Sequence, residues 1–493
     1  MNGGKMRTGP RLSMIAAFLF AVMLCAGCAS MAERGLLPDV KARRQPDVNL
    51  SREVILLEEA KIAQGSNFKS VIGTDGRAHL FVADEGKRIH HVEVSGNEVL
   101  LREILGTMEG DAPNQAIDAV EHPAGKLRVL AGNKQFIRSA PDNKWHEIKG
   151  NLCSRFITAG DDLLCAFIAN GKEIGAPTRR DWTVGWFILL PVVFWSDVIA
   201  DKLVLAQESR DGWTIRAVFD PETKLSARSD FMAGTDQNGS LHFLYRASGE
   251  SSAFIIAFAP GGGGAWGQDT SAMEIRYARV QYDRLFSGNK NGGSQGEEAG
   301  DAPIPWESIQ GLPLAPLPYV EDKYQRPTSL SLIGPLERHF AVNGTLGELG
   351  GLVWIYNLGL DDGMHRLRTS DMPWIHVKIK EGKWAPHFDV VTASDLPESG
   401  WRWIHDRGAL IKNDSLGNNH VLLVKSKPGF WRSTNEMCYF FHTGGDWSAP
   451  LILGSNLGID SHRSLAVDGT GKVFAVWQNR NNRVVGRWIL PQK

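Results

Sequence analysis

A short turn motif recurs along the chain and constrains its fold more than any other feature. An aspartate is followed three residues later by glycine and, after three more, by histidine or an apolar residue. Full copies begin at Asp236, Asp414 and Asp468, and a shortened relative begins at Asp75. Each copy lies between an apolar run and an alternating apolar run, which indicates two strands joined by a tight turn. Because one hairpin cannot bury its own apolar face, the repetition predicts a series of blades.

The spacing of the inner hairpins predicts an all-β fold, a β-propeller of seven blades, although its unevenness also admits six or eight. The expected hairpins begin near Val71, Ala116, Phe156, Phe231, Leu330, Ala409 and Leu465. The C-terminal region supplies three strands, over 464–467, 472–478 and 483–490, so its blade lacks an outer strand. We expect residues 53–58 to complete that blade, because closing the ring removes the free edges of an open sheet.

Tryptophan-containing turns support the blade repeat and carry a family resemblance. The segments 383–386 and 446–450 are similar turns, and 139–145 is similar to a degenerate Asp-box. On these motifs the chain resembles a sialidase-like, BNR-repeat β-propeller over most of residues 50–490, although 139–145 lacks the usual glycine and spacing of the Asp-box. The resemblance implies an arginine cluster that holds a carboxylate. A hydrolase of this type would also need an acidic residue and a Tyr–Glu pair, and the Arg-Ile-Pro motif that usually opens such domains is absent.

The N-terminus predicts export and lipid attachment. Three basic residues precede the apolar run 14–24, which is too short to be interpreted first as a spanning helix. The run ends in Cys25-Ala26-Gly27-Cys28, which resembles a bacterial lipobox with Cys25 in place of the usual leucine. We therefore expect a signal peptide over 1–27, lipidation at Cys28, a tether over 28–50 and the propeller over 51–493. Ala29 favours the outer membrane, and an ordinary cleaved signal peptide is the alternative.

Composition and cysteine spacing narrow the function classes. The formal net charge is −1, whereas nucleic-acid-binding domains are usually strongly basic. No phosphate loop, nucleophile elbow or zinc-helix motif occurs, so no cofactor is predicted. After processing, Cys153, Cys165 and Cys438 remain, and an oxidising compartment permits a disulfide between two of them. The sequence leaves the pairing open.

Two insertions, near 179–200 and 287–318, interrupt the blade rhythm. The first contains the apolar segment Trp182–Trp195, which follows two arginines. This segment is interpreted as a strand or loop buried between blades, or as a loop at the membrane interface, where tryptophan and basic residues are favoured. Within the second insertion, residues 287–303 are rich in Gly, Asn, Ser and Glu, which predicts a disordered surface loop.

Two sets of polar residues are considered as a metal site and as an anion-binding site. His79, His242 and His420 share one register in different blades, which should hold them apart, so no metal site is predicted there. A basic residue precedes or begins six inner strands and should face one mouth of the central channel: Lys69, Arg155, Arg228, Arg326, Arg407 and Arg463. Such a group could focus an anion, since arginine matches carboxylate and phosphate geometry. Alternatively, each cation ties neighbouring blades together through an aspartate such as Asp230, Asp406 or Asp460.

Two tryptophan-rich segments, 401–407 and 427–432, should reach the same mouth, where aromatic faces beside charged groups suit a saccharide or peptide. We therefore predict an envelope-anchored binding or scaffold propeller for an anionic saccharide or a protein partner. The candidate ligand-binding residues are Arg155, Arg228, Arg326, Arg407, Arg463, Trp403, His405 and Trp431.

The main alternative is a glycan-active hydrolase, for which Tyr439 near Glu436 and Tyr319 near Glu321 are candidate pairs by proximity alone. A subunit of an outer-membrane assembly is a third interpretation, favoured if the Trp182–Trp195 segment is exposed. Expected partners are the membrane, through lipid at Cys28 and that segment, and a saccharide or envelope protein. No nucleic-acid partner is expected.

Overall fold

The structure is a computed structural model of the chain. It describes residues 43–59, 61–62, 68–108, 117–139, 143–149, 153–169, 172, 179–187, 190–198, 201–209, 212–219, 230–248, 254–259, 262–267, 273–283, 307–312, 329–331, 336–356, 374–380, 383–384, 389–391, 401–404, 409–429, 433–443, 445–458 and 462–492. No helix within these ranges is long and apolar enough to cross a membrane.

The described strands form seven antiparallel sheets of four or more strands, which are the blades of a propeller. Strands β1 (Val48–Leu50) and β2 (Val54–Leu57) precede the first blade. Blade 1 contains β3 (Lys69–Ile72), β4 (Ala78–Ala83), β5 (Arg88–Ser95) and β6 (Glu98–Thr107). Blade 2 contains β7 (Ile117–Glu121), β8 (Lys126–Ala131), β9 (Lys134–Ser139) and β10 (Trp145–Lys149).

Blades 3 and 4 each carry a two-stranded hairpin between their second and third strands. Blade 3 runs through β11 (Arg155–Ala159), β12 (Asp162–Ala169), the hairpin strands β13 (Arg179–Phe187) and β14 (Leu190–Val198), β15 (Lys202–Ser209) and β16 (Gly212–Phe219). Blade 4 runs through β17 (Phe231–Thr235), β18 (Ser240–Ser248), the hairpin strands β19 (Phe254–Ala259) and β20 (Gly262–Gly267), β21 (Met273–Gln281) and β22 (Glu307–Leu312).

Blades 5 and 6 have divided inner and outer strands, and blade 7 uses the two ends of the chain. Blade 5 contains β23 (Ser329–Ser331), the short helix α1 (Leu336–His339), β24 (Phe340–Asn343), β25 (Glu348–Tyr356), β26 (Trp374–Lys380), β27 (Lys383–Trp384) and β28 (Asp389–Val390). Blade 6 contains β29 (Arg402–Trp403), β30 (Leu410–Asn413), β31 (Asn419–Lys427), β32 (Thr434–Thr443), β33 (Asp446–Trp447) and β34 (Leu451–Ser455). Blade 7 contains β35 (Arg463–Val467), β36 (Val473–Gln478) and β37 (Val484–Pro491), together with β1 and β2.

The ring is closed by the N-terminal strands. Each innermost strand lies beside that of the next blade, in the order β3, β7, β11, β17, β24, β30, β35 and back to β3. Strand β2 pairs with β37, with Val54 opposite Gly486, and β1 pairs with the far end of β37, with Leu50 opposite Ile489. The predictions of seven blades and of closure by residues 53–58 are therefore confirmed. Strand β1 was not foreseen.

The hydrophobic core lies between neighbouring sheets. Between blades 1 and 7, Leu80 and Val92 pack with Phe474 and Trp488 in one buried cluster. Gly486 has no room for a side chain, since a Cβ there would lie 2.6 Å from Cζ of Phe474. Both faces of a blade are therefore buried. That burial accounts for the long apolar runs of the second strands.

The recurring motif is a turn whose aspartate replaces missing backbone partners. Oδ1 of Asp414 accepts hydrogen bonds from the backbone N–H groups of Leu416 and Asn418, both at 2.9 Å. Asp236 and Asp468 accept from the equivalent two N–H groups of their own turns. Gly417 has φ +86°, a left-handed conformation that glycine adopts without steric cost. This is why aspartate and glycine recur at that spacing.

These turns also join the blades on one face of the ring. The amide of Asn343 donates to the carbonyl of Gly417, and Lys472 donates to the carbonyl of Gly76 across the closure between blades 7 and 1. Comparable turn-to-turn bonds connect the other neighbouring blades: Thr74 with Glu121, His122 with Asp161, Tyr282 with Asp162, Gln237 with Gly344, and Ser415 with Gly469. A belt of inter-blade hydrogen bonds thus surrounds the channel on this face.

The structure decides the cysteine pairing that the sequence left open. Cys153 and Cys165 form a disulfide with a Cα–Cα distance of 5.6 Å. Cys165 lies opposite Phe156 on β11, so Cys153 reaches it from the segment just before that strand. Cys438 is buried in the core between blades 5 and 6.

Of the predicted insertions, residues 179–187 and 190–198 form the hairpin β13–β14, in which Trp182 lies opposite Trp195. The hairpin β19–β20 was not predicted. From 287–318 the structure describes only β22, the outer strand of blade 4, so the predicted surface loop over 287–303 lies outside the described residues.

Candidate functional site

The two faces of the propeller differ in what they carry. The aspartate turns occupy one face. The opposite face, here called the mouth face, carries the starts of most innermost strands and the ends of the second strands. Because they connect second to third strands, the hairpins β13–β14 and β19–β20 rise from this face, and β13 lies beside β19. Helix α1 lies beside β17, β24 and β30, which places it at the channel.

Charged residues from all seven blades converge at the channel, some directly and some through helix α1. We call this group the channel cluster; its members influence one another electrostatically or form ion pairs. It comprises Lys69, Asp118, Arg155, Asp230, Glu337, Arg338, Lys412 and Arg463. The innermost strands supply most of these groups and α1 supplies two, so ring closure brings together residues far apart in sequence.

Ion pairs within the channel cluster join separate blades. Nζ of Lys69 lies 2.5 Å from Oδ1 of Asp118, while the other oxygen of Asp118 accepts the backbone N–H of Phe156 at 2.7 Å. Nε of Arg155 lies 2.8 Å from Oε2 of Glu337 on α1. Asp118 therefore connects blades 1, 2 and 3, which agrees with the alternative that cations tie neighbouring blades together.

Burial and like charge perturb the cations of the cluster. Burial lowers the pKa of Lys412 to about 8; Lys69 and Arg155 lower it further, while Glu337 and Asp118 oppose the change. Burial, together with the guanidinium of Arg338, lowers the pKa of Arg463. For Asp118, burial alone would raise the pKa, but the neighbouring Lys69 and Arg155 outweigh it and the pKa is lowered. Burial thus disfavours the charged forms of Lys412 and Arg463, whereas Glu337, Asp118 and Asp230 outweigh burial at Arg155 and raise its pKa.

The predicted site residues fall into three groups. Arg155 is half-buried in the channel cluster. Arg463 and Trp403 are each 2% exposed, so ligand contact by either side chain would require rearrangement and stays a prediction. The remaining predicted positions lie outside the described residues: Arg228, Arg326, Arg407, His405, Trp431 and Cys28.

Four members of the cluster, including Asp118 on β7, were not foreseen from the sequence. Lys412 interrupts the apolar inner strand that precedes the Asp414 turn, and a lysine inside such a strand is a signal that could have been used. Glu337 and Arg338 lie on α1, which is only four residues long. No local pattern marks so short a helix as a channel element.

An aromatic and basic patch lies at the mouth-face end of blade 6. Nζ of Lys425 is 4.7 Å from the ring centre of Trp401, and Nζ of Lys427 is 6.0 Å from it. Trp401 and Lys427 are both partly exposed. Trp401 and Lys427 begin the two segments predicted to reach the mouth, whereas Lys425 is buried and pairs with Glu436. Saccharide contact at this patch stays a prediction.

The pair Tyr439 and Glu436 does not have the arrangement of a nucleophile and its partner. Tyr439 is 1% exposed, and its hydroxyl lies 2.8 Å from Nδ1 of His420, within blade 6. Glu436 instead lies 3.1 Å from Lys425. Burial raises the pKa of Tyr439, which makes its phenolate still less accessible. Tyr319 and Glu321 lie outside the described residues.

The three repeated histidines lie on β4, β18 and β31, in three separate blades, and serve local networks. Nε2 of His242 lies 3.1 Å from Asp236, and its Nδ1 lies 2.8 Å from the hydroxyl of Tyr277. His420 bridges Asp414 and Tyr439 in the same way. Each network fastens an aspartate turn to the third strand of its own blade.

Blade 1 departs from this arrangement. His91 occupies the position that Tyr277 and Tyr439 hold in blades 4 and 6, because each lies opposite the residue two places after the repeated histidine. Nδ1 of His79 lies 3.2 Å from Nε2 of His91 and 4.0 Å from Oε2 of Glu93. Burial lowers the pKa of His79 to about 4, with His91 and Arg138 acting in the same direction.

Comparisons with protein families and with curated proteins find no match. Among solved structures, the chain is similar to an ulvan lyase bound to -[GlcA(1-4)Rha3S]-, with 9% identity, a TM-score of 0.47, and coverage of 90% of this chain and 96% of the lyase. It is also similar to the Aleuria aurantia lectin with Fucα1-6GlcNAc (11%, 0.35, 80% and 97%) and to the Penicillium chrysogenum α-L-arabinanase with arabinobiose (8%, 0.35, 90% and 98%). These similarities are too low to bear on activity, and the fold assignment rests on the sheet order.

Proposed function

We propose that this protein is an exported, lipid-anchored propeller of sialidase-like type that binds an anionic saccharide at its mouth face. The observation that carries the proposal is the net positive charge of the channel cluster. Its cations are Lys69, Arg155, Arg338, Lys412 and Arg463, against the carboxylates Asp118, Asp230 and Glu337. In a chain with a net charge of −1, this local excess of positive charge would attract anions.

Glu337 indicates how an anionic group would be held. Its carboxylate lies 2.8 Å from Nε of Arg155, and both side chains are partly exposed, at 21% and 15%. Solvent reaches parts of both side chains, while Nε of Arg155 is itself buried. A uronate or sulfate group of a saccharide would take the place of Glu337 on Arg155, which can donate several charge-assisted hydrogen bonds in one plane. Glu337 is then a resident carboxylate that competes with the ligand.

The patch at Trp401 would provide a second contact. Its ring is partly exposed and lies beside Lys425 and Lys427. Sugar rings stack on aromatic faces while charged neighbours orient their substituents. A saccharide of several units could then place its acidic group in the channel and a neighbouring ring on Trp401.

Export is supported by the predicted lipobox and by the Cys153–Cys165 disulfide, since disulfides persist in oxidising compartments. In this proposal the lipid at Cys28 and the tether over 28–50 hold the propeller at the outer membrane. The hairpin β13–β14, which contains the Trp182–Trp195 segment, rises from the mouth face and would lie close to whatever that face binds.

A glycan array tests the proposal, using the protein from residue 29 onwards and matched acidic and neutral saccharides. We expect binding to acidic glycans only. Arg155→Ala should weaken it about 10-fold or more, because a hydrogen bond to a charged group contributes about 1.5–3 kcal/mol. Glu337→Gln should tighten binding by removing the competing charge. Arg216→Ala, on the exposed outer strand of blade 3, is the matched control and should bind normally.

Equal binding of acidic and neutral glycans, or unchanged binding in Arg155→Ala, would contradict the proposed recognition of an anion. Absence of glycan binding in every form would favour the protein-partner alternative. Crosslinking in the cell envelope would then identify what occupies the mouth face.

A further inference from the structure

The cluster around His79 in blade 1 is a second place where chemistry-bearing side chains converge. His79, His91 and Glu93 are buried, and one ligand-type atom from each lies within 4.8 Å of the others. His79 is on the second strand of the blade, and the other two are on the third. Strand register brings them together, because Glu93 lies directly opposite His79 while His91 lies opposite Phe81.

We propose that His79, His91 and Glu93 form a binding site for a zinc ion. Two imidazole nitrogens and a carboxylate oxygen are one of the three-ligand sets by which proteins hold zinc, with water as the fourth ligand. All three ligands belong to blade 1, and Arg138 and Trp145 of blade 2 pack against them. None of the ligands belongs to the channel cluster, so the site is independent of the proposed saccharide binding.

The two histidine donor atoms already have the separation of tetrahedral coordination, and the carboxylate lies within 4.8 Å of both. With zinc–nitrogen bonds of 2.0–2.1 Å, two nitrogens of a tetrahedral site lie about 3.3 Å apart. Nδ1 of His79 and Nε2 of His91 are 3.2 Å apart. Oε2 of Glu93, at 4.0 Å from Nδ1 of His79, would need to approach by about 0.6 Å to reach the same spacing.

Surrounding groups orient the ligands as they do around zinc in other proteins. Nδ1 of His91 lies 2.7 Å from Oε1 of Glu103, so its Nε2 is directed at His79. A carboxylate behind a ligating histidine fixes the ring and raises its basicity. The ring of His91 also stacks on Phe81 at 4.8 Å and meets the edge of Trp145 at 5.3 Å.

Two arginines that pair with Glu93 would repel the zinc ion, and replacing one of them tests this repulsion. Arg77 lies 2.5 Å from Oε1 of Glu93, and Arg138 donates to Oε2 at 3.1 Å. A carboxylate oxygen has a second lone pair available for a metal while it accepts a hydrogen bond. Without zinc, the two histidines share a proton in a hydrogen bond, and zinc would replace that proton between them.

Blades 4 and 6 suggest a variant that removes the His91 ligand but keeps a histidine–tyrosine hydrogen bond. In blades 4 and 6 the position of His91 is a tyrosine that bonds the repeated histidine. His91→Tyr should give blade 1 the same histidine–tyrosine pair. His242→Gln, which changes the equivalent network of blade 4, is the control that perturbs a buried histidine outside the site.

The experiment refolds the full chain from urea with zinc, removes loosely held metal with a weak chelator, and measures zinc by mass spectrometry and X-ray absorption. We expect one zinc per chain, with two imidazoles and a carboxylate around it. Binding should be lost in His91→Tyr, weakened at least 10-fold in Glu93→Gln, and tightened in Arg138→Gln. It should be unchanged in His242→Gln.

Zinc content near zero in the wild-type chain would overturn the proposal. So would zinc retained by a folded His91→Tyr variant, because the metal would then be bound elsewhere. Circular dichroism and the thermal midpoint of each variant without zinc show whether it has folded, so that lost binding is not mistaken for lost structure.

Discussion

The aspartate turns allow a stability prediction in which one turn serves as the control for another. In Asp468→Ala the backbone N–H groups of Thr470 and Lys472 lose their acceptor. At about 1 kcal/mol for each hydrogen bond, the free energy of unfolding should fall by about 2 kcal/mol. Asp414→Ala removes the same two bonds and also the partner of Nε2 of His420, a side chain that is 1% exposed. Each variant also loses one side-chain bond within its own turn, from Thr470 to Asp468 and from Asn418 to Asp414, and these two losses offset each other in the comparison.

The extra cost at Asp414 is that of leaving a buried polar atom without a partner, roughly 1–3 kcal/mol. We therefore expect Asp414→Ala to lose about 3–5 kcal/mol, against about 2 kcal/mol for Asp468→Ala. Urea unfolding followed by tryptophan fluorescence measures both, with the slope checked for constancy. Equal losses in the two variants would show that the aspartate–histidine bond contributes nothing. The reasoning about the motif would then be wrong.

The same aspartate has a defined dependence on pH. Burial alone would raise the pKa of Asp414, but hydrogen bonds from His420 and Asn418 outweigh it, so the folded pKa is lower than the unfolded one. Its contribution is therefore complete above about pH 4, near the ordinary pKa of aspartate, and is lost as the pH falls through the lower folded value. The stability difference between wild type and Asp414→Ala should shrink only in that acidic range.

Three further predictions concern the disulfide, the closure and the channel. Replacing Cys153 and Cys165 by serine opens a loop with a sequence separation of 12 and should lower the free energy of unfolding by about 3 kcal/mol. Urea unfolding measures this loss, and an equal midpoint in oxidised wild type and the variant would contradict it. A chain that begins at residue 43 should unfold like the full protein, whereas one that begins at residue 60 lacks β1 and β2 and should show a lower thermal midpoint, with equal midpoints arguing against closure by these strands. Anion binding should weaken from pH 7 to 9, because Lys412 loses its positive charge near pH 8. The charged groups that act on Lys412 are Lys69, Arg155, Glu337 and Asp118. The Lys412→Met variant should bind more weakly at pH 7 and lose this dependence, and a retained pH dependence would point to another group.

The lowered pKa of Lys412 gives stability the same direction of pH dependence as that of Asp414, but in an alkaline range. Its folded pKa, about 8, is below the ordinary lysine value of about 10.4. The unfolded chain therefore binds more protons between these values, and stability should rise with pH across that window. Proton uptake on ligand binding near pH 8–9, measured by calorimetry in two buffers of different ionisation enthalpy, would report the same group from the bound state.

Local chemistry made much of the fold predictable. The Asp-x-x-Gly turns and the alternating runs indicate repeated blades, because an aspartate acceptor and a left-handed glycine are needed wherever such a turn occurs, and the spacing of the hairpins favours seven. The lone strand at the N-terminus and the incomplete last blade similarly predicted how the ring closes. Strand β1 and the hairpin β19–β20 escaped because short or glycine-rich strands have little periodicity.

The candidate sites depended on tertiary structure. Lys412, Glu337 and Arg155 meet only because seven inner strands surround one channel, and nothing local links a lysine in blade 6 to an arginine in blade 3. Likewise, the sequence relates His79 to His242 and His420 of other blades, whereas strand register places it against His91 and Glu93. The sequence by itself determined the repeating turn and the blade architecture, since those follow from interactions within a few residues, and the closed ring fixed the number of blades at seven. Ring closure and strand pairing decided which charges and ligands converge, because they join side chains that are distant along the chain.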